Sequence, residues 1–86
     1  MTVKAVLNSS NDLNNLTNGI YVWNTDYPQN IPVSQGNGVV VVFEGNMSGV
    51  YYNFQICSLP GRVLYYRRKK GNASDTFAEW ARVTAS

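Results

Sequence analysis

The segment Val50-Tyr51-Tyr52-Asn53-Phe54-Gln55-Ile56-Cys57 repeats with a period of two, as a strand with one buried face does and a helix does not. Read this way, Val50, Tyr52, Phe54 and Ile56 belong to the core, and Tyr51, Asn53, Gln55 and Cys57 lie on the opposite side. Upstream, Val39-Val40-Val41-Val42-Phe43 places branched side chains on both faces, which suits a central strand covered on both sides. Glu44-Gly45-Asn46-Met47-Ser48-Gly49 between them is turn-forming. The expectation is a β-hairpin from Gly38 to Cys57 at the centre of a mainly β fold.

A chain of 86 residues makes one domain, residues 1–86, and a domain of that size buries a modest core whose stability gains from self-association. A single cysteine excludes an internal disulfide, and Cys57 beside Ile56 reads as a small buried hydrophobe. Histidine is absent, so no zinc site is expected on ligand count. Asp12, Asp26, Glu44, Asp75 and Glu79 are scattered singly. No base stands beside a Ser or Thr nucleophile, so neither an enzyme nor a cofactor is expected. No apolar run reaches the roughly 18 residues of a membrane span, and Met1-Thr2-Val3-Lys4-Ala5 has no signal-type apolar core after it. The chain therefore reads as soluble, without membrane insertion and not exported by the usual route. The Asn-X-Ser/Thr sequons at Asn8, Asn15, Asn46 and Asn72 read as turn chemistry in an asparagine-rich chain.

Taken in order, Met1–Leu7 is weakly strand-like or linker. Leu13 and Leu16, spaced by three, predict one short helical turn capped by Ser10, Asn11 or Asp12 and stopped at Asn18-Gly19. Ile20-Tyr21-Val22-Trp23 is strand-forming. Residues 24–37 hold Pro28 and Pro32 and form a long loop, pinned by Ile31 and Val33, where a binding surface is expected. Ser58-Leu59-Pro60-Gly61 is a turn with the type II signature, feeding a strand at 62–68 and a loop at 69–75. For 76–83 local rules lean to helix, because Thr76 and Glu79 form a capping box, although strand pairing also fits.

Two constellations stand out as candidate binding residues. The run Tyr65-Tyr66-Arg67-Arg68-Lys69-Lys70 combines rings with consecutive cations and would suit single-stranded nucleic acid, through phosphate neutralisation and base stacking. The same charges also keep an exposed sheet edge from pairing, or attract an anionic cell-surface polysaccharide. The second is the aromatic set Tyr21, Trp23, Tyr27, Tyr51, Tyr52, Tyr65, Tyr66, Phe77 and Trp80. Aromatic faces stack on sugar rings and amides bond hydroxyls, so Tyr51, Asn53 and Gln55 would make a carbohydrate platform. Rings also fill small cores and subunit interfaces.

Asp12-Leu13-Asn14-Asn15-Leu16 before Gly19-Ile20-Tyr21, the apolar strand Val39–Phe43, the Tyr/Phe/Gln strand at Tyr52–Gln55, Tyr65-Tyr66-Arg67 and the closing Phe77-Ala78-Glu79-Trp80 together resemble the pyocin-knob-type modules of phage tail fibres, from about Asn11 to Val83. Phe77 stands where the family's usual Trp-x-x-Trp has its first Trp, which keeps a ring and removes an N–H donor. The resemblance implies a small antiparallel β-sheet knob with one short N-terminal helical turn, a fragment or terminal module of a longer, commonly trimeric fibre. It implies a virion tail-fibre location after synthesis in the bacterial host cytoplasm, homo-oligomeric partners, and a structural and host-recognition role with bacterial surface glycan as ligand class. It also implies a strand for the closing segment. Nucleic acid is the partner only in the alternative reading, a small β-domain binding single strands through Tyr65–Lys70.

Overall fold

The computed structural model describes residues 2–61, 63–69, 71–72 and 74–83. Six strands form one sheet in sequence order: β1 (Val3–Leu7), β2 (Gly19–Trp23), β3 (Gly38–Met47), β4 (Val50–Leu59), β5 (Val63–Arg68) and β6 (Ala81–Val83). The expected hairpin is β3–β4 at the middle of the sheet, paired from Val39↔Ser58 to Met47↔Val50. Its arms run further than the sequence suggests, because the reversal is confined to Ser48 and Gly49. Both have positive φ, 52° and 79°, the geometry of a tight primed turn whose twist matches the strands it joins. At the next reversal Gly61 has φ 86°, as the type II signature at Pro60-Gly61 requires.

The sheet is mixed rather than wholly antiparallel, since β1 lies parallel to β2 while the other neighbours are antiparallel. β1 reaches that position because residues 8–18 form a crossover. Within it Leu13–Asn15 is a single 3-10 turn capped by Asp12, whose carboxylate accepts from Asn14 N–H. The closing segment is not a helix. Phe77 makes one bridge to Lys69, residues 78–80 are irregular, and only Ala81–Val83 pairs with β5.

One face of the sheet is covered by two loops rather than by helices. Residues 8–18 and 24–37 are tied together by Leu13 N–H to Gln29 C=O at 3.1 Å and Gln29 N–H to Asn11 C=O at 2.8 Å. Beneath them lie Leu7, Leu13, Tyr21, Trp23, Val40, Val42, Cys57 and Leu59 as the buried core. Gly38 is part of that packing, since a Cβ there would run into the Trp23 indole.

The period of two in β4 is present with its faces exchanged. Asn53, Gln55, Cys57 and Leu59 are buried, whereas Val50 and Tyr52 are exposed and Phe54 and Ile56 only partly covered. Likewise β3 is not covered on both sides, because Val40 and Val42 point into the core while Val39 and Phe43 are exposed. The physical reason is the register. In antiparallel pairing opposed residues share a face, so burying Val40 against Cys57 and Val42 against Gln55 fixes the rest of β4. Trp23, Leu13 and Leu59 outweigh the polar side chains that come inward with them.

Candidate functional site: a cleft over Arg67

The inward-facing polar residues are joined in a chain. Gln55, fully buried, donates from Nε2 to Leu13 C=O at 2.6 Å and accepts at Oε1 from Arg67 Nε at 3.0 Å. Thus the neighbouring strands β4 and β5 and the crossover turn are fastened through one amide. Buried amides are tolerated when both ends are bonded, and Gln55 meets that condition. Asn53 meets it in part, donating to Tyr51 Oη at 3.1 Å with its Oδ1 buried and unpartnered.

Arg67 lies at the centre of the arrangement, with its guanidinium carbon 4.0 Å from the Phe77 ring centroid and 4.6 Å from that of Trp80. These are close cation–π contacts. Residues 76–80 lie across Arg67 as a strap. Ala78 N–H bonds Arg68 C=O at 3.2 Å, and Trp80 Nε1–H bonds Asn30 C=O at 2.8 Å. Burial pushes the Arg67 guanidinium down to about 10, with Asp12 and Cys57 acting the other way, so it remains cationic at neutral pH. Burial also pushes the Cys57 thiol up to about 12, against a smaller opposing pull from Arg67, and the thiol is an uncharged filler of the core.

Between the strap, the 3-10 turn and the long loop opens a cleft of about 650 Å³, bordered by Asn14, Asn15, Asn30, Ile31, Pro32, Arg67, Lys69 and the segment from Ser74 to Trp80. Its lining holds two rings, several amides, the cations Arg67 and Lys69, and carboxylates at Asp75 and Glu79. Asp75 is engaged in its own turn, accepting from Gly71 N–H at 2.9 Å and Asn72 N–H at 3.1 Å. Among the described residues no three His, Cys, Asp or Glu side chains come together as metal ligands, and no helix is long and apolar enough to cross a membrane.

The residues singled out in the sequence are distributed unequally. Arg67 and Lys69 reach the cleft, as does the Asn30–Pro32 part of the long loop. Asn53 and Gln55 are buried, Gln55 tying the sheet to the crossover turn and Asn53 bonding Tyr51, so the open platform expected at Tyr51, Asn53 and Gln55 is not formed. Tyr65 packs against the core, Tyr66 and Arg68 face the other side of the sheet, and Lys70 lies outside the described residues. The basic run is therefore split between faces by strand alternation rather than gathered into one groove. The strap's pairing with Arg67 is not legible in the sequence, although Phe77 and Trp80, two rings three residues apart in the closing segment, are the signal for it.

On the opposite face, Ile20, Val41, Ile56, Tyr66 and Ala81 lie along one cross-strand row, and Val22, Val39, Ser58, Leu64 and Val83 along another. The Phe54 and Tyr66 rings stack there with centroids 6.2 Å apart and planes at 26°. This face is open and almost wholly apolar, with Phe43 at 55 % exposure and Val39, Val50, Tyr52, Leu64, Tyr66 and Val83 also exposed. No family model, no curated protein and no solved structure matches the chain.

Proposed function

We propose that this chain is a structural and host-recognition module of a phage tail fibre or tail-like particle, a binding domain and not an enzyme, which offers its cleft to bacterial surface carbohydrate. The observation that carries the reading is the cleft itself. Phe77 and Trp80, from the closing segment, and Arg67, from the Tyr-Tyr-Arg strand, are separate elements of the tail-fibre resemblance, and they meet in one site bordered by asparagine amides. Rings that stack on sugar faces and amides that bond hydroxyls need no titrating nucleophile.

The uncovered sheet face supports the homo-oligomeric part of the reading, a trimer in the parent fibre. Five strand spacings of about 4.8 Å make the sheet roughly 24 Å across, on the scale of one side of a standard interface of about 800 Å². Among the described residues Arg68 is the one charged side chain in its central rows, and it lies exposed at the end of β5, where its guanidinium keeps to water while the apolar rows meet a second copy. Apolar area of that extent on an isolated domain favours association.

A trimerised form of the chain on an array of bacterial polysaccharides tests the proposal, since multivalency raises weak single-site binding into a measurable range. Binding that disappears in Trp80→Ala supports it. Absence of any bound polysaccharide, with host adsorption intact after deletion of the domain, leaves a fibre spacer instead. Binding to single-stranded DNA that falls steeply with salt would move the assignment to nucleic acid.

A further inference from the structure

The Arg67 guanidinium is a buried cation with no counter-charge in contact with it among the described residues. The residue is 6 % exposed, its Nε is committed to Gln55 at 3.0 Å, and its Nη2 is buried with no hydrogen-bond partner. The favourable charge acting on it is Asp12, whose Oδ1 already accepts from Asn14 N–H at 2.8 Å and Asn30 Nδ2 at 2.7 Å. Phe77 and Trp80 attract the cation through their ring faces, but neutral rings accept no forked pair of N–H bonds. Buried charges in folded chains are ordinarily paired and fully hydrogen-bonded, and this one, bordering an open cleft, is half-satisfied.

We propose that the ligand of this cleft is a sugar carrying an anionic group, and that this group, a carboxylate or a phosphate ester, supplies the missing counter-charge to Arg67. The inference rests on the reading of the cleft as a carbohydrate site and names the class of carbohydrate. With Nε held by Gln55, the guanidinium meets a carboxylate or phosphate through its terminal Nη groups, a planar donor set that lysine does not offer. The Phe77 and Trp80 rings supply the apolar area on which the sugar ring lies, which a bare inorganic anion would leave unused. Asp75 and Glu79 at the cleft's border oppose negative charge there, whereas Lys69, 5.2 Å from the Phe77 centroid, adds positive charge on the Arg67 side, so an anionic group is favoured where it enters toward Arg67.

The test is calorimetric titration of the native chain with trigalacturonate, with its methyl ester, and with a glycerol-phosphate oligomer. The acid is expected to bind at least tenfold tighter than the ester, and Arg67→Gln to reduce that ratio below twofold, with Arg67→Lys intermediate. Should Arg67→Gln fail to fold, the acid-to-ester ratio on the native chain and the shift of the Arg67 Nε–H resonance on adding acid decide the matter without it. Tight binding of the phosphate oligomer alone keeps the anionic site and assigns it to a phosphate-bearing glycan. Equal binding of acid and ester overturns the inference while leaving the carbohydrate reading standing. No binding of any probe also overturns it, and loss of binding to whole bacterial cells as well removes the carbohydrate reading itself.

Discussion

The two faces of the central hairpin differ in the opposite sense from their composition. The inner face carries Asn53 and Gln55 among its buried residues, and the outer face carries Val39 and Phe43 exposed with Val41, Phe54 and Ile56 partly so. The inner face is closed because large apolar side chains cover it and Gln55 is bonded at both ends, to the crossover turn and to β5, whereas the outer face has apolar surface on which, among the described residues, nothing of this chain is laid. Polarity alone therefore does not say which face of a strand is buried. What decides is which face finds the larger hydrophobic elements, here Trp23, Leu13 and Leu59, and whether the accompanying amides can be bonded.

This contrast predicts that inner-face changes act on stability and outer-face changes on association. Trp23→Ala removes a nearly fully buried ring and should cost about 3–5 kcal/mol, read as a large drop in urea midpoint by circular dichroism; a loss below 1 kcal/mol would break the assignment of the inner face as core. Gln55→Leu is next in size. It makes the residue more hydrophobic, yet strips Leu13 C=O and Arg67 Nε of their partners, and it should destabilise the fold by about 2–3 kcal/mol. Were β4 facing the other way, the same substitution would be neutral.

The Cys57 thiol gives a smaller effect with a defined pH window. Its folded value, about 12, lies above the thiol's ordinary 9.0, so the unfolded chain releases the proton first. Stability from this group is complete below pH 9 and declines as pH rises from about 9 towards about 12, by on the order of 1 kcal/mol at pH 10. Arg67, pushed down to about 10 from 12.5, acts with the opposite sign and offsets part of the loss above pH 10. Urea unfolding of Cys57→Ala against the native chain between pH 8 and 10 measures the difference, and a pH-independent difference would mean that the thiol is not buried. The smallest stability effect is expected from Phe43→Ser on the outer face, within about 0.5 kcal/mol for the monomer. Its sedimentation equilibrium should shift towards monomer at least tenfold, and unchanged association would sharpen the comparison by moving the interface elsewhere.

Local chemistry made much of this fold legible in the sequence. The hairpin, the strand Ile20–Trp23, one short capped turn around Leu13, the Pro60-Gly61 reversal and the buried cysteine each follow from residues near one another in the chain, since turn dihedrals, caps and the period of two are short-range properties. The cleft was legible in pieces: Arg67 stood out as part of a basic run, the Asn30–Pro32 stretch as part of a long loop, and Phe77 and Trp80 as a closing motif. Their convergence was not, because Trp80 bonds Asn30 across fifty residues and no local rule carries that distance.

What the sequence by itself determined is therefore the four strands β2 to β5 and the turns within and after the central hairpin. The tertiary structure alone decided three things: that β1 pairs parallel to β2, that the polar side of β4 faces inward, and that Arg67 lies beneath Phe77 and Trp80. The physical reason is common to all three. A strand offers two faces and two edges of nearly equal local merit, and the choice between them is a difference in burial and hydrogen-bond satisfaction summed over partners distant in the chain.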